Sequence, residues 1–400
     1  MTLLAEPLKL RCGALLPNRL VKSALSEQLG DRRNAPTREL AELYRTWAAG
    51  GAGALITGNV MVDPAALGEP RNVAATPDPA VYRPWAGAVE GTDTRLWVQL
   101  NHPGRQSPRY LSRQPVAPSV VPFGNRGVRT AFAVPRALTG EEIEAIIERF
   151  GVAARTFVEA GFTGVQIHGA HGYLVSQFLS PLTNRRTDAW GGDAVRRRRF
   201  LLELVRRVRA EVGGAVPVSV KLNSADFQRG GFTEEESLEV VRELGDAGID
   251  LLEVSGGTYE KAAMMGGAST QAREAYFLDY AAKARAVSDV ALMVTGGFAT
   301  PDGMEAALRS GEVDVIGLGR PLIVDPALPS RLLEGADVRA ERLCPKTGIR
   351  LVDSLLEIQW HTRQMHRIAA GRPVDRRGAV PTLVQAGLTD GVNAFRRVRG

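Results

Sequence analysis

The chain has 400 residues, 44% of them hydrophobic, which suffices for one barrel-sized domain or two ordinary ones. Its formal net charge is +6, but the 50 lysine and arginine residues are spread along the whole chain without interleaved aromatic residues. This pattern argues against a nucleic-acid partner, and we interpret the excess of arginine as a compositional bias.

From residue 20 onward, short apolar segments alternate with amphipathic ones. Strands are predicted at 20–25, 54–60, 96–100, 164–168, 218–222, 251–254, 292–295 and 313–318. Helices are predicted at 37–49, 79–90, 140–160, 195–212, 233–247, 272–287, 301–310 and 326–334. Strands that are almost entirely apolar are typical of parallel strands buried on both faces. Strand–helix units repeated in this way favour an α/β fold, the closed (β/α)8 TIM barrel, over an open sheet.

Two regions fall outside this repeat. Residues 103–138 are rich in proline, arginine and glycine and follow the third strand, so we expect a capping excursion over the barrel mouth. The barrel itself is assigned to residues 1–345, and residues 346–400 to a C-terminal extension with a helix at 351–370 and a tail from Gly371. If the protein is a homo-oligomer, we expect this extension to contact a partner subunit.

The cysteines and the N-terminus indicate a compartment. Cys12 and Cys344 have no metal-type spacing and provide no disulfide framework, as expected in a reducing environment. The first residues show no basic stretch followed by an apolar core, and no apolar run approaches the roughly 20 residues that cross a bilayer. We therefore expect a cytoplasmic protein without a membrane partner.

The segment 165–174, Val-Gln-Ile-His-Gly-Ala-His-Gly-Tyr-Leu, places two imidazoles and a phenol at the end of a predicted strand. His168 and His171 can each donate one N–H to a single oxygen, and Tyr173 is a weak acid with a usual pKa of about 10. This set suits a substrate oxygen that gains negative charge during reaction. The alternatives are structural histidines that are simply hydrogen-bonded, or a metal pair; since zinc needs further ligands, we predict no metal.

Polar and glycine residues at the other strand ends indicate a ligand at the barrel mouth, where barrels place their working groups. Gly296, Gly297 and Gly319 let backbone N–H groups approach a phosphate, and Arg320 adds a charged fork. Lys221 needs a partner because it is buried. That partner is either a heterocycle that becomes anionic or a carboxylate such as that of Asp226.

Two amides complete the set. Gln99 and Asn59 offer donors and acceptors that match the edge of a pyrimidine-like ring, although each also fits an ordinary core amide.

Together these segments resemble the old yellow enzyme family, the FMN-dependent NAD(P)H ene-reductases, over roughly residues 3–370. The motifs that carry the resemblance are Leu16-Pro-Asn18-Arg19-Leu-Val, Gln99-Leu-Asn-His-Pro-Gly104-Arg105, His168-Gly-Ala-His171-Gly-Tyr173-Leu, Gln177-Phe-Leu-Ser180-Pro, Gly296-Gly297-Phe and Gly317-Leu-Gly319-Arg320-Pro. The segment from His168 to Tyr173, which we call the His–Tyr block, is specific to this family when it is followed by Phe-Leu-Ser-Pro. The glycine motifs are general features of barrels.

The resemblance implies a cofactor and a role for each site residue. FMN, bound tightly but without a covalent bond, would be held by Ala24, Leu25, Ser26, Asn59, Gln99, His168, Lys221, Gly296, Gly297, Gly319 and Arg320. NAD(P)H would be the reductant and an activated alkene the substrate. His168 and His171 would bind its carbonyl or nitro oxygen, and Tyr173 would donate a proton.

The chain departs from the family pattern at three positions. Ser26 stands where relatives have Thr or Cys, Gln28 replaces a Tyr of one branch, and Lys221 stands where Arg is common. These departures affect redox tuning and substrate range. Two other classes remain open, namely a non-redox isomerase or aldolase barrel that acts on a phosphorylated substrate, and a barrel kept as a non-catalytic binding module.

Overall fold

The computed structural model describes residues 2–124, 126–255, 270–341, 343, 350–376 and 382. Its strands are β1 (Leu8–Lys9), β2 (Leu15–Leu16), β3 (Leu20–Lys22), β4 (Ala54–Met61), β5 (Val73–Ala74), β6 (Arg95–Asn101), β7 (Val116–Ala117), β8 (Arg136–Ala137), β9 (Gly164–Gly169), β10 (Val218–Asn223), β11 (Leu251–Ser255), β12 (Ala291–Thr295) and β13 (Val315–Leu318).

The helices surround the sheet. They are α1 (Arg38–Ala49), α2 (Arg83–Ala86), α3 (Arg126–Ala131), α4 (Gly140–Glu159), α5 (Leu174–Leu179), α6 (Ala194–Val212), α7 (Glu234–Asp246), α8 (Thr270–Val287), α9 (Pro301–Arg309), α10 (Pro321–Val324), α11 (Leu328–Leu333) and α12 (Arg350–Ala369). Short 3-10 turns lie at Leu3–Ala5, Pro79–Val81, Gly87–Val89 and Gly104–Gln106. No helix among the described residues is both long and apolar enough to cross a bilayer.

Eight parallel strands close into a barrel. The order is β3, β4, β6, β9, β10, β11, β12 and β13, and closure comes from β13, which pairs with β3. Leu20 lies beside Ile316 on one side of β3, and Val21 lies beside Ala54 on the other. The predicted (β/α)8 barrel is therefore confirmed, and all eight strand ends meet at one mouth.

The opposite end of the barrel is filled by apolar side chains. The antiparallel hairpin of β1 and β2, which the sequence pattern did not predict, supplies Leu16 to an interior cluster with Val21, Trp97 and Met293. Burial of apolar surface in this way stabilises the fold by about 25 cal/mol for each Å² removed from water. These side chains fill the barrel interior at the end opposite the mouth.

Several predicted element boundaries were wrong. The segment 79–90 is not one helix: two 3-10 turns flank the four-residue α2, because Pro84 lacks the N–H that would continue a helix from Pro79. The first barrel strand ends at Lys22 instead of 25, and the last begins at Val315 instead of 313. The capping boxes at Thr139 and Thr233 start α4 and α7.

Two additions reach towards the mouth. The excursion after β6 contains the parallel pair β7–β8 and helix α3. Helix α12 packs on α1 and α10, and His366 Nε2 lies 2.8 Å from the carbonyl oxygen of Glu27 in the loop after β3. Most of the tail beyond residue 376 and Cys344 lie outside the described residues, so the division at residue 345 stays a proposal.

Candidate active site

A cleft of about 760 Å³ opens at the carboxyl ends of the barrel strands. Its lining includes Ser23, Ala24, Leu25, His171, Lys221, Phe277, Thr295, Gly296, Gly297, Phe298, Gly317, Leu318, Gly319, Arg320 and Pro321. Eight of the residues predicted for the site are brought together here: Ala24, Leu25, His171, Lys221, Gly296, Gly297, Gly319 and Arg320. The mouth is open, as binding of a ligand requires.

One wall of the cleft is bare backbone. Gly296 and Gly297 have φ of +96° and +98°, a left-handed conformation that side chains rarely adopt, and they bring main chain directly to the cleft surface. Arg320 stands nearby and forms an ion pair with Glu357 of α12. This guanidinium, expected to meet a phosphate, therefore already binds an anionic group.

The His–Tyr block is shaped by a tight turn after β9. His171 has φ of +61°, unusual for a residue with a side chain, and Gly172 follows at +77°. The ring centroids of His168 and His171 lie 5.0 Å apart, and those of His168 and Tyr173 lie 4.9 Å apart. Tyr173 is 5% exposed. The three rings predicted from the sequence therefore form one cluster, and His171 links it to the cleft.

Both imidazoles are electrically neutral near pH 7. Burial, together with His171 and Lys221, holds the pKa of His168 well below its usual value. Burial and then the Lys221 ammonium lower the pKa of His171 to about 3. Nδ1 of His168 accepts a hydrogen bond from the Ala170 N–H at 3.2 Å, so its own proton sits on Nε2. Each ring thus offers one N–H donor and no charge.

A chain of polar side chains crosses the barrel beneath the cleft. Gln99 donates to Gln166 at 2.7 Å, and Gln166 donates to Glu253 at 2.9 Å. Glu253 also pairs with Lys221, with Oε1 2.9 Å from Nζ. The carboxylate beside Lys221 is thus that of Glu253, on the adjacent strand β11, and not that of Asp226.

Sequence reasoning missed Glu253, Gln166, Thr295 and Ser23, although a signal existed. Each is a polar residue inside or just after an otherwise apolar strand, at a position that faces the barrel interior. Thr295 donates to Glu253 Oε1 at 2.7 Å, and its hydroxyl lies 2.8 Å from that of Ser23.

Some predicted residues lie outside the cleft. Ser26 and Gln28 line a neighbouring cavity of about 600 Å³, where the Ser26 hydroxyl donates to Glu69. Asn59 lies beside Gln99 in the register of β4 and β6. Neither amide lines the cleft itself.

Two amide side chains on β4 and β6, outside the cleft, have buried polar atoms without partners. Oδ1 of Asn59 and both polar side-chain atoms of Asn101 are buried without a hydrogen-bond partner, and such groups are costly unless something pairs with them. Asn101 follows Gln99 by two residues and so faces the same side of β6. A glycine wall, a lysine and an arginine in one cleft fit the phosphate and the ring of FMN. Within the described residues, no three His, Cys, Asp or Glu side chains gather as metal ligands.

A (β/α)8 barrel with glycines, a lysine and two neutral imidazoles at its strand ends defines a class of proteins that bind a phosphate-bearing heterocycle. The chain belongs to the NADH:flavin oxidoreductase / NADH oxidase family, whose model matches residues 3–338. FMN is accordingly its cofactor, with a reduced nicotinamide as electron donor. The resemblance to old yellow enzymes is confirmed.

Individual relatives agree with this placement. The chain is 38% identical to the NADH-dependent flavin oxidoreductase iliE of Hypocrea jecorina (strain QM6a), over 90% of this chain and 94% of that one. A similar protein of Neonectria sp. (strain DH2) is 39% identical, but the match spans only 46% of its length. The solved old yellow enzyme homologue from Zymomonas mobilis superposes with a TM-score of 0.71 at 28% identity, over 84% of this chain and 93% of that one.

Proposed function

We propose that this flavin oxidoreductase reduces carbon–carbon double bonds conjugated to a carbonyl or nitro group, with NAD(P)H as the hydride source. The observation that carries the proposal is the cluster of His168, His171 and Tyr173, of which His171 lines the cleft together with Lys221. When bound, FMN would supply hydride transfer between the nicotinamide and the alkene.

Residues around the cleft would hold the cofactor. The backbone at Gly296, Gly297 and Gly319, with Arg320, suits the phosphate. Lys221 suits a heterocycle that gains negative charge. The remaining proposed contacts are Ala24, Leu25, Ser26, Asn59, Gln99 and His168.

The two imidazoles would bind the oxygen of the substrate. Because both rings are neutral and buried, each carries a single N–H that is already shielded from bulk water. Donors of this kind stabilise an oxygen whose negative charge grows in the transition state. Loss of one donor typically costs about 3 kcal/mol of that stabilisation.

Tyr173 would supply the proton. Its ring packs edge-on against His168, with the centroids 4.9 Å apart, so the phenol lies close to the proposed oxygen-binding pair. A positioned general acid contributes roughly 10²–10⁴-fold to a rate. No observation favours the non-redox barrel or the non-catalytic module over this assignment, and membership of a flavin oxidoreductase family weighs against both.

The proposal is tested by Tyr173→Phe, with Tyr110→Phe as the control because Tyr110 is an exposed phenol in the cap. Purified proteins are mixed with NADH or NADPH, and then with enones, maleimides or nitroalkenes, while the flavin absorbance is followed. We expect flavin reduction to persist in both variants, and alkene turnover to fall about 10²–10⁴-fold in Tyr173→Phe alone. Unchanged turnover in Tyr173→Phe would refute the role of Tyr173 as proton donor. A wild-type protein that reduces none of the alkenes would refute the proposed activity.

A further inference from the structure

Glu253 is a fully buried carboxylate at the centre of the barrel, with 0% exposure. Its Oε1 lies 2.9 Å from Lys221 Nζ and accepts from the Thr295 hydroxyl at 2.7 Å. Its Oε2 accepts from the Gln166 amide at 2.9 Å. Three donors on three different strands therefore hold this carboxylate in one place.

Glu253 lies beneath the cleft, whereas its partner Lys221 lines it. Lys221 and Thr295 both form part of the cleft surface, and Glu253 does not. In the register of the sheet, Lys221 lies beside His168 on one side and beside Glu253 on the other. The ammonium is thus placed between the cleft and a buried negative charge.

This arrangement decides how much positive charge a ligand meets. An ion pair with both partners buried interacts strongly, because little water screens it. The paired carboxylate offsets the Lys221 charge and draws Nζ towards the barrel interior. Another buried lysine, Lys22, points away from the cleft and bonds to the Ile56 carbonyl at 2.9 Å. Two charged side chains are among the described lining residues, Lys221 and Arg320, and Arg320 is the one proposed for the phosphate.

We propose that Glu253 is a positioning residue that makes the bound flavin harder to reduce, because it holds the Lys221 ammonium back and offsets its charge. The inference rests on the proposed placement of FMN over Lys221. Reduction adds negative charge to the ring system, so a cation left without its carboxylate would favour the reduced form. Gln166 and Thr295 assist by fixing the two carboxylate oxygens.

The test is Glu253→Gln, which keeps the shape of the side chain and removes its charge. The protein loaded with FMN is equilibrated with a redox dye, and the midpoint potential is read from absorbance spectra. We expect the equilibrium to shift at least tenfold towards reduced flavin, about +30 mV for a two-electron couple. An unchanged or lowered potential would overturn the inference.

Asp250→Asn is the matched control. Asp250 is also a buried carboxylate paired with a cation, Arg209, but it precedes the opposite end of β11. In this variant we expect the equilibrium constant for flavin reduction to stay within twofold of the wild-type value. If Asp250→Asn shifts the potential as much as Glu253→Gln does, then loss of any buried carboxylate has the same effect. That result would also overturn the proposal.

A second variant covers the case in which Glu253→Gln fails to hold FMN. Glu253→Asp keeps the charge but is one methylene shorter, so its carboxylate is withdrawn from Lys221. We expect a smaller shift in the same direction, about threefold, and no shift would refute the proposal. A wild-type protein that binds no flavin would instead overturn the proposed FMN site. Failure of that site is therefore distinguishable from failure of the proposal about Glu253.

Discussion

His171 illustrates how the fold sets the chemistry of a single residue. Its left-handed backbone turns the ring back towards the cleft, where Nε2 lies 2.8 Å from the Ser255 hydroxyl. Burial and the neighbouring Lys221 lower its pKa to about 3. The ring therefore stays neutral throughout the ordinary pH range, which suits the proposed binding of a developing oxyanion without a competing proton transfer.

The paired imidazoles are expected to bind phenolic ligands through the phenol oxygen. The double variant His168→Ala with His171→Ala removes both N–H donors, each of which contributes about 1.5–3 kcal/mol towards a charged oxygen. We expect phenol affinity to fall by roughly 10²-fold or more, measured by titration of the flavin spectrum. Undiminished affinity in a variant that still holds FMN would contradict the oxygen-binding role.

Strand β13 contains a glycine, Gly317, at a position with no room for a side chain. A Cβ at Gly317 would overlap the Thr295 hydroxyl and approach Ser23 Oγ to 2.8 Å, whereas one at Gly319 would meet only Leu25 Cδ2 at 3.5 Å. We expect Gly317→Ala to lower the free energy of unfolding of the apoprotein by about 1–3 kcal/mol.

Gly319→Ala is the control for this comparison, since its contact is an ordinary one. We expect it to change stability by less than about 0.5 kcal/mol. Urea unfolding of both apoproteins measures the difference. Equal stability of the two variants would show that the interior at Thr295 is looser than the contacts indicate.

Helix α12 lies outside the barrel repeat and reaches the site from there. Its Glu357 pairs with Arg320, the side chain proposed for the FMN phosphate. An ion pair of this exposure contributes up to about 1 kcal/mol. In Glu357→Gln the guanidinium is released, and we expect the apoprotein to bind FMN roughly two- to fivefold more tightly.

Riboflavin is the control ligand for that measurement because it lacks the phosphate. Its affinity, followed by fluorescence quenching, should be the same for Glu357→Gln and the wild type. Weaker binding of FMN by the variant would mean that Glu357 orients Arg320 and does not compete for it. An equal gain for riboflavin would place the effect elsewhere.

At the scale of the whole molecule, burial makes stability depend on pH. Burial lowers the pKa of His102 to about 4 against the opposing carboxylate of Asp63, and lowers that of His171 to about 3. In the unfolded chain these histidines take up protons near pH 6.5. Between pH 6.5 and 4 the unfolded state therefore binds more protons, so the free energy of unfolding falls as the pH falls.

His102 permits a direct check, since it lies outside the cleft and its Nδ1 only accepts from the Gly104 N–H. His102→Asn keeps an acceptor there and removes the titration. We expect the slope of unfolding free energy against pH to become shallower by up to about 1.4 kcal/mol per pH unit between pH 6 and 4.5. A slope equal to that of the wild type would show that His102 does not contribute.

The sequence predicted the barrel because its signal is local. Each apolar strand and each capped helix depends on residues near one another in the chain, as Thr139 and Thr233 show. The hairpin of β1 and β2 was not predicted from the sequence, because strands of two residues are too short to show a hydrophobic period. The helix expected at 79–90 failed because proline interrupts its hydrogen bonds.

The candidate site divides in the same way. The nature of its chemistry was legible in the chain, since His168, His171 and Tyr173 lie within six positions and their neighbours match a known family pattern. Charge partners were not legible: Lys221 pairs with Glu253, 32 residues later in the numbering, and Arg320 pairs with Glu357. Such pairs, and the pKa values that burial creates, depend on strand register and on which side chains lose contact with water. These are properties of the folded chain, because strand pairing and the packing of α12 on α10 bring residues that are far apart in the sequence side by side.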